Sequence, residues 1–429
     1  MRRFLSLALC LHAVAALSRD PSALAAQQAS PDTVVISLAE AQRLALTQNP
    51  SFLADRQAGA VARGRARQTA VYGPNPEVTV EAPGLASEGS LGEYRAMATV
   101  GVDWTGQWFV RRRAGTLDVA RADAEVRNAA RGAVADASLA FYRTFAAERR
   151  LKVAEELRAL NDQLLAVTRI QLDEGEISQL EANLAQVEAG RARARVLAAE
   201  RDLASARLEL QRITGTPPEL VVRPAPELPS LPAPDASSLE ERIGRALARR
   251  PDLEASERAV EHADALESLA RRESLPTPQV GALLERDRAT GSARAGFVIG
   301  LSVPLWNWNR GGIAERRAES LQADLRREAT ELAVRAEVAD ADAAYRAAYD
   351  EVSIYETDVL GPAHTNQGLL DTAFVAGKVG LPTLILLRNQ LLDAELAYWD
   401  SWLAARAALV ALESATAALA TDFELPGDR

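Results

Sequence analysis

The most extended hydrophobic pattern in the chain is helical. From about residue 116 to residue 173 there is no proline, and the apolar positions follow the alternating four-three spacing of a coiled-coil seam, with members Val153, Leu157, Leu160, Leu164 and Val167. At about 1.5 Å per residue such a helix is on the order of 85 Å long. Gly175 is placed to end it, and the capping box Ser178 to Glu181 predicts a return helix to about residue 213. The pattern therefore predicts a long antiparallel hairpin.

A second hairpin is predicted from about residue 313 to residue 376, over a tip at residues 377–380, and back to about residue 420. Its return helix carries a second apolar seam, with members Leu384, Leu387, Leu391, Ala394 and Tyr398.

Ahead of each hairpin the apolar period changes from helical to alternating. Phe297, Ile299, Leu301 and Val303 fall on one face of a predicted strand. The first half has a similar predicted strand after a loop rich in Gly and Ser at residues 84–92. One face of this strand carries Ala98, Val100, Val102 and Trp104. We expect one strand pair in each half of the chain.

The two halves repeat one another in order. Ser37 to Glu40 recurs as Ser238 to Glu241, each fitting a capping box, and the helix-stopping step Asn49-Pro50 recurs as Arg250-Pro251. We divide the chain into a signal peptide (1–26), a first repeat (27–215), a proline-rich linker (216–236), a second repeat (237–421) and a C-terminal tail (422–429).

Composition narrows the function classes. A charged start followed by an apolar run predicts an export signal, and the run is shorter than the roughly 20 residues of a membrane-spanning helix. The single cysteine, Cys10, lies in that run; a lipid-anchored Cys10 is the alternative to its removal with the signal.

His262 and His364 have no partner at ligand spacing, so we predict no metal site, no cofactor and no catalytic residue. The balance of 59 acidic to 49 basic residues argues against nucleic acid as a partner.

Four strands in an exported chain cannot close a barrel in lipid alone, because an open edge leaves backbone amides unpaired. Three copies would supply about twelve strands and would also bring the long hairpins together. The predicted fold is therefore mainly α with a small β part: two tandem repeats, each giving long antiparallel coiled-coil helices and a strand pair. Three copies form an α-helical barrel and a twelve-stranded outer-membrane β-barrel.

The ordered set of motifs resembles the TolC-like outer membrane factors, the outer membrane efflux proteins of Gram-negative bacteria. The resemblance is carried by the doubled element order, by the segment Gly300 to Trp306 after the last strand, and by the tip Gly175 to Ser178. The chain departs from the family pattern at Asp103-Trp104-Thr105-Gly106, where a proline-containing exit from the strand is expected.

The resemblance implies a homotrimeric, non-enzymatic duct in the outer membrane, with its helices in the periplasm. It implies a periplasmic adaptor (membrane fusion) protein and an inner-membrane pump as partners, outer membrane lipid around the strands, and metal cations or drugs as candidate cargo. A type I secretion exit duct is the alternative. A periplasmic adaptor is less favoured because it is expected to carry one hairpin, and a secreted hydrolase because hairpins offer no concave pocket.

Two sets of residues are candidate functional positions. The hairpin tips are candidates for adaptor docking or gating, where Asp173, Glu174 and Glu176 would form an acidic ring or merely a solvated turn; the full tip set is Asp173, Glu174, Gly175, Glu176, Ser178, Gly377, Lys378 and Gly380. The aromatic residues that follow the strands fit either a belt at the lipid headgroups or the packing of the strand-to-helix junction; they are Trp104, Trp108, Trp306 and Trp308.

Overall fold

The computed structural model of the chain describes residues 33–73, 75–82, 93–227, 230–286 and 290–419. The predicted signal peptide, Cys10 and the C-terminal tail lie outside the described residues.

Each half of the chain contains three strands, shorter helices and a long helical hairpin. The first half contains β1 (Thr33–Ile36), α1 (Leu38–Thr47), α2 (Pro50–Thr69), β2 (Glu77–Glu81), β3 (Tyr94–Gly101), α3 (Gln107–Asp173) and α4 (Gln179–Thr214). The second half contains β4 (Val221–Pro224), α5 (Leu239–Arg249), α6 (Pro251–Glu273), β5 (Pro278–Arg286), β6 (Ala293–Leu301), α7 (Arg310–Ile354), a π-helical turn (Tyr355–Val359), α8 (Leu360–Val375) and α9 (Leu381–Ala415).

The four longer strands form one antiparallel sheet in the order β2-β3-β5-β6. Each half supplies one strand pair, as expected, but the pairs are not separate: β3 pairs with β5 along its whole length, from Tyr94 opposite Arg286 to Gly101 opposite Gln279. The two halves of the chain are therefore joined through backbone hydrogen bonds as well as through helix packing. Strands β2 and β6 lie at the two edges of this sheet.

A second, two-stranded parallel sheet was not predicted. Strand β1 pairs with β4, with Thr33 opposite Val221 and Ile36 opposite Pro224. The valine-rich segments are short and lie beside prolines, and β4 is inside the predicted linker, so neither stood out as a strand. The linker is thus anchored to the beginning of the described chain.

The long helices lie side by side. Helix α3 has 67 residues, about 100 Å at 1.5 Å per residue, and starts nine residues earlier than the sequence pattern predicted. It packs against α4 on one side and α9 on the other, and α9 packs in turn against α7. Buried alanines 182, 185, 189 and 192 let α4 approach α3 closely, as expected. In the predicted seams Leu157, Leu164 and Leu384 are buried, whereas Val167 and Leu387 are exposed.

The descending helix of the second hairpin is not continuous, contrary to prediction. Residues 355–359 form a π-helical turn between α7 and α8. Pro362 lies just beyond this turn and has no N–H to donate to the carbonyl four residues earlier, which favours the insertion of an extra residue into the helix there.

Aromatic packing fills the largest core cluster, where α1, α3, α4 and α9 meet. Phe141 and Leu210 are fully buried in it, and Tyr142, Phe145 and Trp402 pack edge-on or tilted against one another. Burying rings of this size stabilises the fold by about 1.5–3 kcal/mol each.

Helix starts follow the predicted signals with one correction. Ser178 with Glu181 and Ser238 with Glu241 form reciprocal capping boxes. Ser37 accepts from the Glu40 amide at 3.1 Å, but the Glu40 carboxylate turns to Arg43 instead of returning to Ser37. The predicted first box is therefore only half formed. Within the described residues, no helix combines the length and apolar content needed to cross a membrane.

Gly215 gives a direct test of the junction between α4 and the linker. Its φ is +66°, and a Cβ there would lie 2.4 Å from the Gln48 carbonyl oxygen. We expect Gly215→Ala to lower the melting temperature, because the left-handed backbone alone costs about 1–2 kcal/mol for a residue with a Cβ. Gly244→Ala is the matched control: it lies in α5 with open space around it, and should leave the melting temperature unchanged or higher. Equal melting temperatures for the two variants would contradict this account.

Candidate functional site: an apolar sheet face and two hairpin tips

The register of the four-stranded sheet places apolar side chains in continuous rows on one face. Val78 lies opposite Ala98, Ala98 opposite Ala282, and Ala282 opposite Phe297. Side chains on one face of a sheet recur every second residue, so the neighbouring rows extend this apolar face; its members are Val78, Val80, Ala96, Ala98, Val100, Val280, Ala282, Leu284, Ala295, Phe297, Ile299 and Leu301. The next row on this face contains Arg286 at the end of β5, so the charge-free part of the face ends at Leu284.

The opposite face of the same sheet is polar. Arg95 lies between two carboxylates on the adjacent strands, 3.7 Å from Glu81 and 3.1 Å from Glu285. Arg294 continues this row on β6, opposite Glu285. The charges alternate in sign across the four strands, so each charged side chain has an opposite charge on the neighbouring strand.

None of the residues that the structure describes covers the outer part of the apolar face. Phe297 is 95% exposed and Ile299 is 81% exposed. A contiguous apolar surface of this kind marks an interaction with lipid or with protein. Strands β5 and β6 each have nine residues, about 30 Å at 3.3 Å per residue, which matches the roughly 25 Å apolar band of a membrane barrel. The sequence indicated the β6 part of this face and the β3 part around Ala98 and Val100. The contribution of Val78 and Val80 on β2 was missed, although their alternation with polar residues carried the signal.

The junction between β3 and α3 is built from Asp103. One carboxylate oxygen accepts from the Gln107 amide at 2.9 Å and the other from the Trp108 amide at 2.6 Å. Asp103 thereby satisfies free amides at the start of α3. Burial raises the pKa of this carboxyl, but the hydrogen bonds from the Trp108, Gln107 and Gly106 amides outweigh it and hold the pKa below its ordinary value. The departure from the expected proline exit is thus a capped helix start.

The four tryptophans after the strands fall into two groups. Trp108 packs in the junction: its Nε1 donates to the Ala70 carbonyl at 2.9 Å, and its ring contacts Tyr72 and Phe109. Trp104 is 60% exposed while its Nε1 donates to the Pro276 carbonyl at 2.7 Å. Trp306 and Trp308 are exposed at the helix end of the sheet. The junction role fits Trp108, and the position of the other three fits a headgroup belt.

Both hairpin tips use the same backbone turn. Gly175 has φ +76°, with its amide bonded to the Leu172 carbonyl and the Glu176 amide bonded to the Gln171 carbonyl. Gly377 has φ +68° and repeats this pattern, with its own amide bonded to Phe374 and that of Lys378 bonded to Ala373. This is the Schellman arrangement, in which glycine takes the left-handed position past the helix end. The two tips differ in how the return helix starts, with a capping box at Ser178 and with Gly380 followed by Pro382 at the second tip.

The charged side chains at both tips are exposed, and the two tips carry charges of opposite sign. Asp173, Glu174 and Glu176 are all exposed at the first tip, and Lys378 is exposed at the second. Close behind the tips, Leu164, Leu165, Leu384 and Ile385 form a buried cluster that packs the two hairpins against each other. The structure therefore brings the candidate tip residues to the same end of the molecule.

Among the described residues, no group of three or more His, Cys, Asp or Glu side chains is arranged to hold a metal ion. His262 is half-buried, and its burial lowers its pKa. His364 lies 3.1 Å from Glu395 on the neighbouring helix.

Residues 243–418 match the family model of the outer membrane efflux proteins. The resemblance to this family that the sequence motifs carried is thereby confirmed, and the outer-membrane location predicted from it is that of the family. A search of the curated proteins gave no significant match.

Solved outer membrane channels share the fold. CusC, whose structures concern folding and transmembrane channel formation, superposes with a TM-score of 0.74 at 18% identity, over 88% of this chain and 91% of that one. The CmeC outer membrane channel of Campylobacter jejuni gives a TM-score of 0.76 at 13% identity, with 88% and 85% covered. The outer membrane protein VceC of Vibrio cholerae gives 0.72 at 15% identity, with 88% and 95% covered. The mainly helical fold with a small sheet is therefore that of the outer membrane efflux channels.

The capping role of Asp103 predicts a pH-dependent contribution to stability. Because the pKa is lowered in the folded chain, the contribution is present above the ordinary value near 3.8 and is lost as the pH falls through the folded pKa. We expect Asp103→Ala to destabilise the fold by about 0.5–2 kcal/mol at neutral pH, and the difference from wild type to shrink below about pH 4. Melting temperatures across pH measure both effects. Asp202→Ala, an exposed carboxylate on α4 with no capping role, should change little at any pH; a loss as large as that of Asp103→Ala would refute the cap.

Proposed function

We propose that this chain is the outer membrane channel of a tripartite efflux system, a passive duct made of three identical subunits. The observation that carries the proposal is the exposed apolar face of the four-stranded sheet, with a charged face behind it. In a barrel this arrangement puts the apolar face against lipid and the charged face toward a wet lumen.

The free edges of the sheet support assembly. β2 and β6 each have one side without a strand partner among the described residues, and unpaired backbone groups in lipid cost several kcal/mol each. Edge β6 of one copy pairing with edge β2 of the next removes both edges, and three copies give a closed barrel of about twelve strands, within the range of known membrane barrels.

The helical flanks support the same symmetry. The lateral order α4, α3, α9, α7 leaves α4 on one flank and α7 on the other. Helix α4 carries a buried seam toward α3, and away from that seam it exposes Leu180, Val187, Leu197 and Leu208. Helix α7 exposes Leu321, Leu325 and Leu332. Flanks that differ from each other make head-to-tail contacts, which close into a ring when the rotation allows it.

The remaining predictions belong to this proposal. The two repeats (27–215 and 237–421) and the linker between them would give each subunit two similar hairpins around the periplasmic tube. The tips would meet the adaptor protein, and the inner-membrane pump would supply energy and choose the cargo. The described residues hold no metal-ligand cluster, so they do not favour metal cations over drugs.

The lipid-facing assignment predicts opposite outcomes for adjacent residues. Ile299→Arg places a charge on the apolar face, which costs about 2–4 kcal/mol near the bilayer midplane, so we expect the trimer to disappear from the outer membrane fraction. Val298→Arg is the matched control, one residue away on the polar face, and should still assemble. Both are measured as detergent-extracted trimer and as ion conductance in planar bilayers.

Wild-type protein sets the reference for this experiment. We expect a detergent-soluble trimer that conducts ions. A wild-type monomer that stays in solution without detergent, or equal assembly of the two arginine variants, would argue against the duct.

The acidic residues of the first tip are predicted either to make the channel prefer cations or to bind the adaptor. Reversing Asp173, Glu174 and Glu176 together to lysine should lower the ratio of cation to anion permeability, or weaken export in cells that contain the pump and adaptor, because threefold symmetry multiplies the change in charge. Lys378→Glu should shift the permeability ratio in the opposite direction. If conductance, selectivity and export all stay at wild-type values, the tip is only a solvated turn.

A further inference from the structure

Four helix ends lie at the same end of the four-stranded sheet. Helix α2 ends ahead of β2 and α6 ends ahead of β5, while α3 starts after β3 and α7 starts after β6. Helix α3 packs against α2 and α6, and α6 packs against α7, so the four ends lie side by side in the order α2, α3, α6, α7. At about 1.5 Å per residue, the ten residues of each helix next to the sheet span about 15 Å.

These ten-residue segments are rich in arginine. We call them together the basic collar, which consists of residues 60–69, 107–116, 264–273 and 310–319. The collar holds eleven arginines and five acidic residues, whereas the whole chain has 49 basic and 59 acidic residues. Positive charge is therefore concentrated next to the sheet of an otherwise acidic chain.

Ion pairs within the chain neutralise only part of this charge. Four collar arginines pair with carboxylates: Arg63 with Asp123 at 2.9 Å, Arg111 with Glu273 at 3.4 Å, Arg316 with Glu319 at 2.7 Å, and Arg271 with Glu267. Five others are exposed and have no ion pair among the described residues; they are Arg65, Arg67, Arg113, Arg310 and Arg317.

Helix electrostatics favour the arginines of α2 and α6 but oppose those of α7. A helix is negative at its carboxyl end, so basic residues in the last turn stabilise it, as Arg67 and Arg271 do. The amino end is positive and favours acidic residues. Arg310 is the first residue of α7, whose first turn has no acidic residue and whose preceding Asn309 makes no side-chain cap. Helix α3 has the carboxylate of Asp103 at its start, and α7 has no such group, so an anion from another molecule would stabilise the α7 start.

A neighbouring copy of the chain would leave the collar positive. Helices α2 and α7 lie at the two ends of the row of helices, as β2 and β6 lie at the edges of the sheet. In the proposed ring, α7 of one copy would therefore lie beside α2 of the next. Their two collar segments together carry six arginines and two acidic residues. Assembly thus leaves a net positive charge, repeated three times around the ring.

Lipid is the anionic surface that lies closest to this charge. The apolar sheet face is exposed, and the exposed Trp104 and Trp306 lie between it and the collar. Exposed tryptophans in this position are typical of the headgroup level, and the headgroup layer extends about 5–8 Å beyond the hydrocarbon core. The nearest collar arginines are therefore placed to meet lipid phosphates, whose oxygens match the forked geometry of a guanidinium.

We propose that the basic collar binds anionic phospholipids in the leaflet next to the helices, with Arg113, Arg310 and Arg317 bound to their phosphate groups. The inference rests on the proposed channel function, because lipid reaches the collar only if the apolar sheet face lies in a bilayer. A zwitterionic lipid also has a phosphate, but its own ammonium group neutralises the charge, so the collar favours a headgroup with a net negative charge.

The experiment compares the trimer in nanodiscs of phosphatidylcholine alone with the trimer in nanodiscs that also contain phosphatidylglycerol. Native mass spectrometry of the extracted trimer should show phosphatidylglycerol enriched about tenfold over the nanodisc composition, because each basic residue near a lipid surface contributes about 1 kcal/mol. The triple variant Arg113→Gln, Arg310→Gln, Arg317→Gln should lose this enrichment and still form a conducting trimer.

The matched control removes the same charge far from the sheet. Its three substitutions are at exposed arginines of α3 and α4: Arg158→Gln, Arg169→Gln and Arg201→Gln. This variant should keep the enrichment of wild type. Inorganic phosphate should not displace the bound lipid, which separates a lipid headgroup from a free anion as the ligand.

Arg310→Gln alone covers the case in which the triple variant does not assemble. In phosphatidylcholine nanodiscs it should melt at the same temperature as wild type or higher, because the change removes a cation from the positive end of α7. In nanodiscs with phosphatidylglycerol it should melt at a lower temperature than wild type, because the phosphate contact is lost. A residue with a purely structural role would show the same effect in both lipids.

Two results would overturn the proposal: equal lipid enrichment in wild type and the triple variant, or an Arg310→Gln effect that does not depend on the lipid. Either result would leave an acidic protein segment as the alternative occupant of the collar. Trimer formation and conductance are measured separately. A conducting wild-type trimer without lipid preference would therefore contradict the collar alone, whereas absence of a trimer would contradict the channel.

Discussion

Backbone hydrogen bonding within the four-stranded sheet is the constraint on which the rest of the structure depends. In this sheet β3 and β5 join the two halves of the chain along eight residue pairs, a longer pairing than that of β1 with β4. That pairing fixes which side chains share a face, so that one face is apolar up to Arg286 at the end of β5 and the other carries a row of charges. It also fixes where α3 and α7 begin, since each starts within nine residues of the end of a strand.

The helices extend the consequences of this pairing over about 100 Å. Because α3 and α9 lie together, the two hairpins run side by side, and small residues on α4 allow tight packing without large side chains. The exposed residues are of two kinds. Apolar residues lie on the outer flanks of α4 and α7, and charged residues lie at the tips. Stability of a single subunit and readiness to associate are therefore carried by different faces of the same helices.

Most of the helical architecture could be predicted from the sequence, because periodicity, capping boxes and proline stops are local signals. The seam around Leu157 and Leu164, the turn at Gly175 and the stop at Pro251 are of this kind. Two features depended on distant contacts and were missed: the β1–β4 pairing and the joining of β3 to β5. The π-helical turn was also missed, although Pro362 beside it is a local signal. The tip residues were located correctly as turns, but their chemistry depends on neighbours that only an assembled ring would supply.

The parallel pairing of β1 with β4 has a consequence for biogenesis. Thr33 lies opposite Val221, so about 190 residues separate the partners of this small sheet. An exported chain enters the periplasm from its N-terminus, and loop closure over such a distance is slow compared with helix formation. The valine-rich strand β1 would therefore stay unpaired until the whole first hairpin and β4 have entered the periplasm. Periplasmic chaperones that bind short apolar segments would therefore be needed for longest at the N-terminal end of the exported chain.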